Sequence, residues 1–225
     1  MQSLINSLAF SCPPTCSYDE TLSYLFFIKK LPVRYYNNNY NYTVLLCHSN
    51  GEDIGQFNIE ALADTWHANI CMFDYAGYGM HPGSASEASC QCDVKTVYHY
   101  LLSLGITNII IYGRSIGTGV ACYLAYYIKK PVKLILVSPF KSVTQVILNL
   151  WCPWDFFKND KIAQHIAGPV LIIHGCRDRF CDYQSSRELS LLFKNMTFKT
   201  IHGAGHFAIN TCPEHDEAIY EFIQS

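Results

Sequence analysis

An α/β architecture, a mostly parallel central sheet with helices on both faces, is what this sequence predicts, and three observations predict it. Short apolar runs recur along the chain, among them Thr43–Cys47, Asn69–Tyr75, Ile109–Tyr112, Val132–Val137 and Val170–Ile173. They lack the polar alternation of a half-exposed strand, as strands buried on both faces do. Between them lie segments with apolar residues at helical spacing, such as Cys90, Val94, Val97 and Leu101. Finally, 225 residues, 50% of them hydrophobic, suffice for one sizeable core. Strand and helix in alternation give a parallel sheet covered on both sides.

In chain order, residues 1–20 contain Cys12-Pro13-Pro14-Thr15-Cys16 and read as a surface arm, and residues 21–225 as a single domain. Leu25–Ile28 and Val33–Tyr36 read as short strands. The tract Asn37-Asn38-Asn39-Tyr40-Asn41 supplies residues that tolerate left-handed backbone, which predicts a hairpin into Thr43–Cys47 and an antiparallel start to the sheet. Phe198–Ile201 is a last strand, with helices expected over Tyr183–Phe193 and Glu214–Ile223. Alternation lapses at about 140–164, where Phe140, Val143, Trp151, Trp154, Phe156 and Phe157 crowd together. Two readings stay open there: a small cap lining an apolar substrate pocket, with Trp151, Trp154 and Phe156 as its walls, or a helix and loop packed on the core.

Composition excludes several functions. The formal net charge is -2 and the basic residues are scattered, so nucleic acid is not an expected partner. Eleven cysteines are spread along the chain with no basic secretory leader, which predicts reduced thiols in a cytoplasmic setting. No apolar run approaches the ~20 residues of a membrane span. Cys12 and Cys16 lack a second pair at ligand spacing, so no metal and no cofactor is expected.

Chemistry concentrates at Gly113-Arg114-Ser115-Ile116-Gly117, between an apolar strand and a segment with Val120, Leu124 and Ile128 at helical spacing. A sharp strand-to-helix turn strains the central serine and leaves no room for Cβ atoms two residues before and after it. Glycine stands at both places. Such a turn lifts the Ser115 hydroxyl over the first amides of the helix, the arrangement of a nucleophile elbow. A serine nucleophile needs a base, and the base needs an acid. His206 follows the last strand in Gly203-Ala204-Gly205-His206 and is the expected base. His48, His202 and His215 read as structural. Asp178 follows Val170–Gly175 and is the expected acid, with Asp155 a weaker rival and Asp182 an N-cap for the next helix. Backbone amides of Ile116 and Asn50 are the expected oxyanion donors.

The segments His48–Gln56, Asp74–Gly79, Tyr112–Thr118, Leu171–Gly175 with Asp178 and Asp182, and Gly203–His206 resemble those of α/β hydrolase domain-containing protein 17 and its relatives. The likeness runs from about Pro32 to the C-terminus. It implies an α/β-hydrolase fold and a serine hydrolase that removes palmitate from protein cysteines, working at membranes. Ser115, Asp178 and His206 fall on the family's nucleophile, acid and base. The chain departs from the family at Ser49, where glycine is usual, and at Arg114, where glutamine is usual. The family's N-terminal cluster of lipidated cysteines has only a partial counterpart in Cys12 and Cys16, so peripheral membrane attachment stays open. The expected partner is an acylated protein or a small acyl ester. The rival functions are a small-molecule esterase or lipase and a non-catalytic scaffold that binds a partner.

Overall fold

The computed structural model describes residues 9–148 and 155–225. Eight strands form one sheet: β1 (Leu25–Ile28), β2 (Leu31–Tyr36), β3 (Thr43–Cys47), β4 (Asn69–Phe73), β5 (Ile109–Arg114), β6 (Leu134–Val137), β7 (Val170–Gly175) and β8 (Met196–Ile201). Their spatial order is β1-β2-β4-β3-β5-β6-β7-β8. The first three in that order pair antiparallel, and all pairs from β4 to β8 are parallel.

The central strands are buried on both faces, and their side chains divide between two cores with a period of two residues. Along β5, Ile109 and Ile111 enter one core while Ile110 and Tyr112 enter the other. Helices α1 (Ile59–Trp66) and α7 (Pro213–Gln224) contribute Trp66, Ile219 and Ile223 to the second core. The first core takes Cys90, Val94, Val97 and Leu101 from α2 (Glu87–Ser103) and much of α3 (Gly117–Ile128). Helix α3 is apolar on nearly all sides because it lies behind the elbow and under the segment that follows β6. Three short helices complete the described chain: α4 (Val143–Leu148), α5 (Asn159–Ile162) and α6 (Tyr183–Ser190).

One expectation about local structure changes. The asparagine tract does not close a hairpin. β2 pairs with β4, and β3 lies on the far side of β4, so residues 37–41 carry the chain over a strand end. The Asn69 side chain stabilises that crossing by accepting the amides of Asn38 at 3.0 Å and Tyr40 at 3.1 Å. The hairpin is instead β1–β2, turned by Lys29 and Lys30 with Lys29 at φ 60°. The N-terminal segment is largely exposed from Ser11 to Glu20, and the described residues before it are anchored. Ala9 and Phe10 are buried, and Phe10 stacks on Phe156 with ring centroids 6.0 Å apart.

Candidate active site

The elbow forms where β5 meets α3. Ser115 has φ 51°, a left-handed backbone that costs about 1 kcal/mol or more outside glycine. Close packing requires glycine two residues to either side of it. A Cβ on Gly113 would stand 2.4 Å from the Gly117 carbonyl oxygen, and one on Gly117 would stand 2.2 Å from the Cys47 carbonyl oxygen. The Ser115 amide donates to the Val137 carbonyl at 2.9 Å, which anchors the turn to β6.

Three parallel strands deliver the polar side chains to one sheet end. The Ser115 Oγ lies 3.1 Å from His206 Nε2, and His206 Nδ1 lies 2.7 Å from Asp178 Oδ2. His206 comes from the loop after β8 and Asp178 from the loop after β7. The Asp178 carboxylate accepts the amides of Phe180 and Cys181 at 2.9 Å each, and His174 Nε2 stands 3.3 Å from its second oxygen. Burial alone would raise this acid. The hydrogen bonds from His174 and His206, the charge of His206 and the Cys181 amide outweigh that and hold it well below the ordinary carboxylate range.

A cavity of about 350 Å³ opens beside the serine, lined by Ser115, Ile116, Asn50, Cys181, the charged Arg179 and the apolar side chains of Ala9, Phe140, Val143, Val146 and Phe180. Neither the Ile116 nor the Asn50 amide has a hydrogen-bond acceptor among the described residues. The Asn50 side chain is fully engaged, because its Oδ1 accepts from the Ser11 amide at 2.8 Å and the Tyr78 hydroxyl at 2.5 Å while its Nδ2 donates to the Ala9 carbonyl at 2.6 Å. Two phenylalanines flank the imidazole: Phe180 at 5.0 Å and Phe207 at 5.3 Å between ring centroids. They are 56% and 79% exposed and mark the mouth of the site.

The model of the family described as "alpha/beta hydrolase fold" matches residues 42–149. Alpha/beta hydrolase domain-containing protein 17B of Homo sapiens is 33% identical over 196 residues, covering 82% of this chain and 67% of that protein. This chain belongs to the α/β hydrolase family. The chain is also 34% identical to alpha/beta hydrolase domain-containing protein 17C of Xenopus tropicalis over 81% of its own length, and it spans 61% of that relative. Among solved structures, Est1E from Butyrivibrio proteoclasticus with ferulic acid bound superposes with TM-score 0.74 at 20% identity, covering 89% of this chain and 97% of that one. An alpha-beta serine hydrolase homologue from Coxiella burnetii gives TM-score 0.70 at 21% identity over 91% and 99% of the two chains. Those two likenesses concern the fold.

The other sequence-predicted residues fall as follows. Asp182 caps α6 by accepting the Ser185 amide at 2.6 Å. Asp155 accepts the amides of Thr144 and Phe156 at 2.9 Å each and takes no part near the imidazole. Phe156, expected as a pocket wall, packs instead in a cluster with Phe10 and Phe157 and is absent from the lining of the cavity. Phe140, Val143 and Val146 line it instead, with Ser115 and Ile116. Trp151 and Trp154 lie outside the described residues. Sequence reasoning missed His174, although its position four residues before Asp178 at a strand end was a usable signal. Ala9 was also missed, because nothing local says that an arm will fold back onto a residue 41 positions away.

Proposed function

We propose that this α/β hydrolase is a serine hydrolase that cleaves acyl esters or thioesters through an acyl-Ser115 intermediate. The observation that carries the reading is the Asp178–His206–Ser115 hydrogen-bonded series ending beside an apolar-walled cavity. In the first half-reaction His206 Nε2 takes the Ser115 proton as Oγ bonds to the acyl carbon. The carbonyl electrons move onto oxygen, where the Ile116 and Asn50 amides donate to the oxyanion. As the tetrahedral intermediate collapses, the bond to the leaving oxygen or sulfur breaks and that atom takes the proton from His206. Water then repeats the sequence, with His206 as its base, and releases the acid. Asp178 keeps Nδ1 protonated and balances the imidazolium charge throughout.

A fatty acyl group on a protein cysteine is the proposed substrate, since the likeness to domain-containing protein 17 supports it and an apolar cavity suits an acyl chain. Such a substrate presents its chain at membrane surfaces, so a cytoplasmic protein with peripheral membrane contact fits it. No helix among the described residues is long and apolar enough to cross a membrane. The test is fluorophosphonate labelling of the purified protein with the site located by mass spectrometry. Ser115 should label, and Ser115→Ala and His206→Ala should abolish labelling. A palmitoyl thioester peptide should then turn over faster than short-chain oxoesters; the reverse order would favour a small-molecule esterase, and a folded but unlabelled wild type would exclude the serine mechanism.

A further inference from the structure

Resting on that reading, we propose that Arg114 is a positioning residue: its single guanidinium holds both the loop that presents the Asn50 amide and the loop that presents His206. Arg114 ends β5 and immediately precedes the nucleophile, and its side chain is only 8% exposed. One nitrogen, Nη1, forms an ion pair with Glu52 Oε1. The other oxygen of Glu52 accepts the Ser49 amide at 2.9 Å, one peptide before the Asn50 amide. Arg114 Nη2 donates to the His206 carbonyl at 3.2 Å. The bridge therefore links the loops after β3 and β8 to the last residue of β5.

Arginine suits this task better than lysine. Its planar fork offers donors in two fixed directions, whereas a lysine ammonium is a point charge on a flexible stem. Burial adds stiffness, because separating the pair would strand a charge away from water. Arg114 does not line the cavity beside Ser115. It faces a separate cavity of about 130 Å³ with Trp66, Tyr112 and His215. Substrate is thus out of its reach, and its influence passes through His206 and the Ser49–Asn50 backbone. Both of those groups act on the proton and the oxyanion, which exist in the transition state and not in bound substrate. The expected signature is a lower kcat at constant KM.

The experiment compares the wild-type chain with Arg114→Lys, Arg114→Met, Glu52→Gln and the double Glu52→Gln/Arg114→Met, using an acyl ester and counting active sites by fluorophosphonate labelling at Ser115. Each single change should lower kcat per labelled site by about 10- to 100-fold, the scale of a small misplacement of reacting groups. KM should stay within about threefold. The double variant should be no worse than the poorer single, since both changes cut one bridge. A role in packing alone would reduce thermal stability and the number of labelled sites while leaving kcat per site at the wild-type value, and that result would overturn the proposal. Losses that multiply in the double variant would overturn it too. Should Arg114→Met fail to fold, Arg114→Lys and the isosteric Glu52→Gln carry the same test. Absence of labelling in the wild type would instead sink the serine-hydrolase reading, before any Arg114 variant is compared.

Discussion

Two buried histidines face buried aspartates at ends of the same sheet, and they differ in every respect that matters for proton transfer. His206 Nδ1 is 2.7 Å from Asp178, and its Nε2 is turned to the Ser115 hydroxyl. His48 Nε2 is 3.6 Å from Asp74 Oδ1, beyond a hydrogen bond, and its Nδ1 donates to the Ser49 carbonyl at 2.8 Å. Its ring packs on Tyr75 with centroids 4.3 Å apart. The carboxylates differ too. Asp178 is served by two amides and two imidazoles, which hold it well below the ordinary range. Asp74 receives the Ile54 amide and the Tyr18 hydroxyl, yet burial dominates and pushes it up. A histidine near a carboxylate is therefore not yet a base. It is placed to act as one when a buried carboxylate, fully hydrogen-bonded, fixes one nitrogen and leaves the other facing a hydroxyl beside a cavity.

The largest expected contrast lies between the two imidazoles. His206→Ala should lower kcat by about 10⁴-fold or more, the scale seen when a base is removed from a working triad. His48→Asn, which keeps a donor near the position of Nδ1, should stay within about tenfold of wild type per labelled site and show its effect as a lower melting temperature. Equal losses per site would break the comparison. The carboxylates should follow the same order at smaller amplitude. Asp178→Asn should cost up to about 10⁴-fold in kcat because the amide favours the wrong imidazole tautomer. Asp74→Asn should stay within about tenfold. Steady-state kinetics on a chromogenic acyl ester would read both.

The contrast also explains what was legible in the sequence. The elbow could be read because its constraint is local: Gly113, Ser115 and Gly117 lie within five residues, and steric contact with Cys47 and Gly117 itself dictates them. Asp178 and His206 could be read because parallel strands send the loops that follow them to one sheet end. What could not be read depends on contacts between distant segments. The position of β2 beside β4 is a choice among edges that the Asn37–Asn41 tract does not encode. The return of Ala9–Ser11 onto Asn50, and of Phe10 onto Phe156, needs the folded body as a template. Arg114 illustrates the middle case: its position was visible, but the two acceptors it joins come from loops 62 and 92 residues away.

The smallest expected effect concerns stability against pH, where the two aspartates should act with opposite sign. The folded Asp178 carboxyl lies below its ordinary value of 3.8, so the unfolded chain binds that proton more readily. Its contribution is complete above the ordinary range and is lost as pH falls toward the folded value. Asp74 is raised above 3.8, so the folded chain holds its proton more tightly. That contribution is complete below the ordinary value and disappears as pH rises through the raised one. Urea unfolding of the wild type, Asp178→Asn and Asp74→Asn between about pH 3.5 and pH 8 would separate them. The advantage of the wild type over Asp178→Asn should narrow at the acid end, because protonation strips Asp178 of the charge that His174 and His206 reward. Asp74→Asn should instead gain on the wild type toward neutral pH, because there the wild type keeps a buried carboxylate ionised with an imidazole too distant to hydrogen-bond it. If both variants ran parallel to the wild type across the range, the difference between the two pairs would be one of geometry alone, and the electrostatic account of Asp178 would fail.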